Sequence, residues 1–151
     1  MKFSIIRSKC KGLTSLSDDE VTTEPERIQQ DEITPAAVLI AQCFRARTLA
    51  HFLHLRTNSQ AHHLALNEFY LNIVTLTDAY AESYQGRYGI IQNYPFLPEP
   101  VGVTPISLVI ELRSLIDTLR SQCGVEQDLQ ALIDDIVNQC NSTVYKLSNL
   151  K

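Results

Sequence analysis

The sequence has few of the features that mark membrane, secreted or nucleic-acid-binding proteins. No apolar run approaches the roughly 20 residues that a membrane-spanning helix needs. The apolar stretch near the N-terminus is too short for a signal peptide. The four cysteines include no CxxC pair, so neither a disulfide framework nor a zinc cluster is expected. A net charge of −4 argues against a protein that coats nucleic acid. We therefore expect a cytoplasmic protein with buried thiols, no membrane contact and no nucleic-acid partner.

The 151 residues that are present, 44% of them hydrophobic, suffice for one compact domain. Residues 1–33 are polar, with a strongly acidic stretch from residue 15 onward. They offer few apolar side chains to offset the entropy lost on ordering. We predict a flexible, acidic N-terminal lead over residues 1–33 and a helical domain over residues 34–151.

Four amphipathic helices are predicted in the second part of the chain. Thr34-Pro35 and Thr104-Pro105 are helix-start signals, because threonine caps the first amides and proline fits the first turn. Gly86 and Gly124 are predicted to end the second and third helices. The predicted helices cover about 36–56, 60–85, 105–123 and 126–147.

The connection from Gly86 to Val103 is long for a link between two helices, and it mixes prolines with apolar side chains. A link of this length can run from one end of a bundle to the other. The predicted fold class is therefore all-α, a ferritin-like four-helix bundle with a long crossover between helices two and three. The apolar crossover is expected to lie across the bundle or against a partner subunit.

Residues 47–86 concentrate the side chains that carry chemistry. They include four histidines within thirteen residues and two carboxylates further along the second helix: His51, His54, His62, His63, Asp78 and Glu82. The carboxylates are four residues apart and so share a helix face. Imidazole and carboxylate together suit Fe(II), Mn(II) or Zn(II). Histidines on helices are also often capping or packing groups, which is the alternative interpretation.

The spacing His51-x11-His63-x14-Asp78-x3-Glu82 resembles the ferroxidase signature of the Dps family, ferritin-like proteins that oxidise and store iron. The resemblance implies that these four residues are metal ligands and that the cofactor is iron or another divalent metal. It also implies a site between helix one of one protomer and helix two of its mate. A homodimer or larger homo-oligomer follows from that arrangement.

The same stretch resembles small proteins of tailed bacteriophages even more closely, through residues 50–55, 66–70 and 82–89, the last of which read ESYQGRYG. This resemblance implies a phage protein in the host cytoplasm or the virion, with a phage or host protein as partner. Two functions stay open. One is metal binding with possible ferroxidase or iron-storage activity, and the other is a non-enzymatic helical module that serves as a virion component or binds a host factor or small molecule.

Overall fold

A computed structural model describes residues 32–98, 100 and 102–151, and it is all-helical over those residues. The predicted lead lies outside the described residues except for its last two positions. Helix α1 spans Pro35–Arg56, α2 spans Gln60–Tyr88, α3 spans Pro105–Leu119 and α4 spans Gln127–Asn149. A short 3-10 turn, Arg120–Gln122, follows α3. None of the described helices is both long and apolar enough to cross a bilayer.

The helix starts follow the cap residues in the sequence. The side chains of Thr34 and Ser59 each accept a hydrogen bond from the amide three residues further on, at 3.1 and 3.3 Å. At α3, Thr104 and Ser107 form a reciprocal capping box. These side chains satisfy amides that have no partner inside the helix, so the predicted starts are confirmed.

The second helix does not end at Gly86, as the sequence predicts, but continues to Tyr88. The residue with left-handed backbone geometry is Gly89, with φ of +92°. The extra turn places the Arg87 guanidinium 2.8 Å from the carboxylate of Asp128 at the start of α4. Contacts of this kind help to offset the cost of about 1 kcal/mol for a glycine inside a helix.

The third helix, in contrast, is shorter than predicted, since its α-helical part ends at Leu119 instead of near Cys123. The chain tightens into the 3-10 turn and then reverses at Gly124, whose φ is +91°. An added Cβ at this glycine would lie 2.5 Å from Cδ1 of Leu129. The reversal therefore needs glycine chiefly for its backbone angle, and the Leu129 methyl group would have to move to admit a side chain there.

The crossover runs the length of the bundle along α1. Helix α1 packs against α2 and α3, and α4 packs against the same two helices. At one end, Arg87 of α2 meets the start of α4. At the other end, Val103 at the start of α3 lies beside Arg56 at the end of α1. Helices α2 and α3 are therefore parallel and diagonal, which is the ferritin-like connectivity predicted from the long link.

The core between the helices is apolar and closely packed. The largest fully buried side chains are Tyr80, Phe69, Leu39, Ile40, Leu66, Ile73, Ile116, Leu129, Ile133, Ile136 and Val109. The predicted buried thiols are confirmed at Cys43, Cys123 and Cys140, while Cys10 lies outside the described residues. The Tyr80 hydroxyl donates to the carbonyl oxygen of Cys123 at 2.8 Å, which satisfies the one polar atom of that side chain.

Candidate functional site

The histidines lie where three helix ends meet. The turn at residues 57–59 sets the end of α1 beside the start of α2. Helix α4 runs antiparallel to α2, so its last turn arrives at the same place. We refer to this region as the histidine corner, formed by His51, His54, His62 and His63.

His54 and His63 hold each other through reciprocal hydrogen bonds. Nδ1 of His54 lies 3.0 Å from the carbonyl oxygen of His63, and Nδ1 of His63 lies 3.2 Å from the carbonyl oxygen of His54. Because a carbonyl oxygen only accepts, both rings donate from Nδ1–H, which fixes their tautomer. The two rings stack with centroids 3.7 Å apart, and His54 is 8% exposed. This pair clamps α1 to α2.

Two of the histidines also complete the ends of helices. The carbonyl groups in the last turn of a helix have no partner inside it. The carbonyl of His54 is in the last turn of α1 and accepts from His63. The carbonyl of Leu147 is in the last turn of α4 and accepts from Nε2 of His62 at 3.1 Å. Capping is therefore the role that the geometry gives to His62 and His63, as in the alternative interpretation of the sequence.

His51 is placed differently from the other three. Its ring stacks on Tyr70 of α2, with centroids 4.3 Å apart and planes tilted by 17°. The ring is partly exposed, and no described residue is hydrogen-bonded to it. The Tyr70 hydroxyl is occupied, since it donates to the side-chain oxygen of Asn67 at 2.8 Å. Of the four histidines of the corner, His51 is the one whose ring forms no hydrogen bond with a described residue.

The two predicted carboxylate ligands lie elsewhere on the molecule. Asp78 and Glu82 are both exposed on the outer face of α2, and neither forms an ion pair with a described residue. Asp78 follows His63 by fifteen residues, which is roughly 22 Å along the helix axis at about 1.5 Å per residue. One chain therefore does not bring these carboxylates to the histidine corner.

A metal does not fit the predicted ligands within a single chain. Within the described ranges, no group of three or more histidine, cysteine, aspartate or glutamate side chains converges closely enough to hold a metal ion. A site that combines His51, His63, Asp78 and Glu82 requires a second chain to supply one half. That is the arrangement implied by the resemblance to Dps proteins, and it stays a prediction.

The crossover leaves a second candidate region beside α1. Two adjoining clefts separate α1 from the crossover, and Leu49 lines both. We refer to them together as the crossover groove. Its exposed aromatic side chains are Phe44, Phe52 and Phe96, with exposed fractions of 38%, 48% and 95%. The remaining lining residues are Ala41, Arg45, Thr48, Leu53, Arg56, Pro95, Leu97, Pro100, Gly102 and Val103.

Positive charge follows the same helix. Helix α1 contains no aspartate or glutamate, and its three arginines are Arg45, Arg47 and Arg56. None of them forms an ion pair with a described residue. Two of the three, Arg45 and Arg56, line the crossover groove. The groove is thus an apolar, aromatic surface with a positive border.

Sequence reasoning missed two elements of these regions. One is Tyr70, which stacks on His51. Nothing in the sequence around Tyr70 indicates that contact. The apolar content of the link predicts a contact surface there, but it does not indicate the phenylalanines of α1 that complete the crossover groove. Both depend on which residues of different helices lie at the same level, and helical periodicity does not contain that information.

The fold and these regions define the class of protein as a four-helix bundle with ferritin-like connectivity. The chain belongs to a family of unknown function, DUF5856, whose model matches residues 54–147. The match includes five of the six candidate site residues, His54, His62, His63, Asp78 and Glu82, and leaves out His51. No curated protein and no solved structure was found to match the chain.

Proposed function

We propose that the protein is a non-enzymatic helical interaction module that works as a homo-oligomer, with the crossover groove as part of its contact surface. The observation that carries this proposal is the almost complete exposure of Phe96 next to Phe44, in a crossover where Ile90 and Tyr94 are exposed as well. Contiguous exposed apolar surface is a common mark of protein–protein contact.

The energetic argument concerns the aromatic side chains of the groove. Burying one phenylalanine side chain that is otherwise exposed contributes about 1.5–3 kcal/mol. Phe52 and Phe96 therefore offer more stabilisation to a complex than to the isolated chain. A second copy is the partner we propose, in a homodimer through α1 and α2 with the crossover groove at its edge.

Size-exclusion chromatography with light scattering tests this proposal. The natural sequence is expected to elute as a dimer at micromolar concentration. Phe96→Ser and Phe52→Ser are expected to shift the mass toward the monomer while the helical circular dichroism signal is retained. Val125→Ser is the matched control, because Val125 is 78% exposed and lies in the link before α4, away from the groove.

A natural sequence that is monomeric up to high micromolar concentration would contradict the proposal. Equal dissociation by Val125→Ser and Phe96→Ser would also contradict it, since loss of any exposed apolar side chain would then have the same effect.

A second candidate function is metal binding in the dimer. The observation that favours it is the tautomer of His63. Its Nδ1–H donates to a backbone carbonyl, so its Nε2 carries a lone pair that can bind a metal. Ligating histidines in metal sites commonly use this arrangement. A second chain would have to bring Asp78 and Glu82 to the histidine corner, and oxidation of Fe(II) by oxygen or peroxide is the reaction that the resemblance to Dps proteins suggests.

Metal analysis of protein purified without chelator tests this second function. We expect metal in stoichiometric amount in the natural sequence and its loss in Asp78→Ala, Glu82→Ala and His51→Ala. Asp117→Ala is the control, because Asp117 is exposed on α3, outside the predicted ligand set. Absence of metal from every preparation, including one loaded with Fe(II), would refute metal binding.

The likeness to small proteins of tailed bacteriophages extends the first proposal to a place in the virion or to contact with a host protein. Mass spectrometry of purified phage particles tests the virion role directly. Stoichiometric protein that remains after high-salt washing would support it, and absence from the particles would restrict the protein to the host cell.

A further inference from the structure

Helix α1 carries a charge opposite to that of every other long helix in the described part of the chain. It has three arginines and no acidic residue. Helices α2, α3 and α4 each contain more aspartate and glutamate than lysine and arginine. The crossover beside α1 adds a single acidic residue, Glu99. Among the described helices, an acidic segment is therefore attracted to α1 and repelled by the other three.

Two of these arginines lie on the face of α1 that borders the crossover groove. Arg45 and Arg56 are separated by a rotation of roughly 20° and by roughly 16 Å along the helix axis. Phe52 lies between them and lines the groove together with Arg56. Arg56 is exposed and forms no ion pair with a described residue. This face thus offers positive charge next to exposed aromatic surface.

Acidic residues are concentrated immediately before α1. Residues 18–32, which we call the acidic lead, contain seven carboxylates and one arginine, with Val21 and Ile28 among them. Eleven residues of extended chain, the separation between Glu24 and the start of α1, span at most roughly 36 Å. Helix α1, with 22 residues, is roughly 33 Å long. Glu24 and the acidic residues before it can therefore reach the far end of the groove when the chain doubles back along α1.

From this complementarity we propose that the acidic lead docks along the crossover groove of its own chain, antiparallel to α1. Its carboxylates lie toward the arginines of the groove, and its two aliphatic side chains lie toward the phenylalanines. A short tether gives an effective concentration of about 1 mM, so an intrinsic Kd of about 1 mM is enough to keep the lead docked in about half of the molecules. Because a second copy would use the same phenylalanines, the lead competes with dimerisation, a consequence that rests on the proposed dimer.

Paramagnetic relaxation measured by NMR tests the docking in the full chain. A nitroxide is attached through Thr22→Cys in a Cys10→Ser, Phe96→Ser background, where Phe96→Ser disfavours the dimer and the described cysteines are buried. We expect the amide signals of Phe52 and Arg56 to lose intensity by about twofold or more relative to Tyr145, since about half of the molecules are docked. Tyr145 is the matched reference, because it lies in α4 at the same end of the bundle, away from the groove.

Charge is tested by two changes to that experiment. Arg56→Gln should reduce the loss of intensity at Phe52, whereas Arg113→Gln, which removes the same charge from α3, should leave it unchanged. Sodium chloride at 1 M should also reduce it, because the Debye length falls from about 10 Å at 0.1 M to about 3 Å at 1 M.

Equal loss of intensity at Arg56 and Tyr145, or a loss at Phe52 that neither Arg56→Gln nor 1 M salt reduces, would overturn the docking. Mixing spin-labelled chains with separate isotope-labelled chains should give no loss at Phe52. A loss in that mixture equal to the loss within one chain would place the lead on a second copy and would contradict docking in its own groove.

Light scattering tests the competition separately. A chain with Glu20→Gln, Glu24→Gln and Glu26→Gln should dimerise with a Kd about twofold or more lower than that of the natural sequence, because the groove is no longer occupied in half of the monomers. An unchanged Kd would overturn the competition. If the natural sequence forms no dimer, the proposed function fails, while the relaxation experiment still decides whether the lead docks.

Discussion

Replacing His54 by alanine is the sharpest test of the histidine corner as a structural clamp. The substitution removes a hydrogen bond of 3.0 Å, worth about 1 kcal/mol. It also removes a ring stacked on His63 at 3.7 Å, worth about 1 kcal/mol. The ring is 8% exposed, so its loss leaves a partly enclosed void that adds about another 1 kcal/mol. We expect a total loss of about 3 kcal/mol in the free energy of unfolding.

His51→Ala is the matched comparison, one turn earlier on the same helix. His51 is partly exposed and would lose its stacking on Tyr70 and a looser ring contact with His54 at 5.9 Å, which predicts a cost of about 1 kcal/mol. Urea unfolding followed by circular dichroism separates the two. With an m-value of about 2 kcal/mol/M, the midpoint should fall by roughly 1.5 M for His54→Ala and by at most roughly 0.5 M for His51→Ala. Equal shifts, or a larger shift for His51→Ala, would refute the clamp.

Three further predictions concern the core and the turns. Burial raises the pKa of the Cys43 and Cys140 thiols from 9.0 to about 12, so neither should be alkylated in the native protein at pH 8, as measured by peptide mass spectrometry. The thiol pKa is higher in the folded protein than in the unfolded chain, so the two thiols contribute fully to the free energy of unfolding below the unfolded pKa near 9. Unfolding experiments should therefore show stability falling as the pH rises from about 9 toward 12. Tyr80→Phe removes the donor to a buried carbonyl and should cost about 1–2 kcal/mol in chemical unfolding, whereas no change would mean that this carbonyl finds another donor. Gly124→Ala should lower the free energy of unfolding by about 1–2 kcal/mol because residue 124 has a φ of +91°. Gly86→Ala should raise it by about 1 kcal/mol, because Gly86 lies inside α2 with free space around it. The reversed order of stabilities would contradict the turn at Gly124.

The elements of this fold could be predicted from local signals. Caps such as Thr34 and Thr104 act within one turn of the chain, so their effect is readable from neighbouring residues. The sequence predicts the end of α2 at Gly86 instead of Gly89, because the ion pair between Arg87 and Asp128 that favours the longer helix joins residues far apart in the sequence. Such a contact becomes visible only once α2 and α4 are placed side by side.

The candidate site was less predictable for the same reason. Helical periodicity gives the face on which a residue lies, and it correctly puts Asp78 and Glu82 on one face of α2. It does not give the level along the bundle. The position of the turn at residues 57–59 sets that level, and it places His63 beside His54 and far from Asp78. Whether a second chain closes that distance depends on a surface that no single-chain pattern encodes.

The crossover has a consequence for how copies of this chain could exchange parts. Helices α1 and α2 form one hairpin, α3 and α4 form another, and each covers the apolar face of the other. The only covalent connection between them is the long segment at residues 89–104. If that segment swings outward, the first hairpin of one chain can close on the second hairpin of another, giving a domain-swapped dimer with the same core. By the same reasoning, fragments cut within the crossover should reassemble when mixed, which makes the protein divisible into two complementary halves.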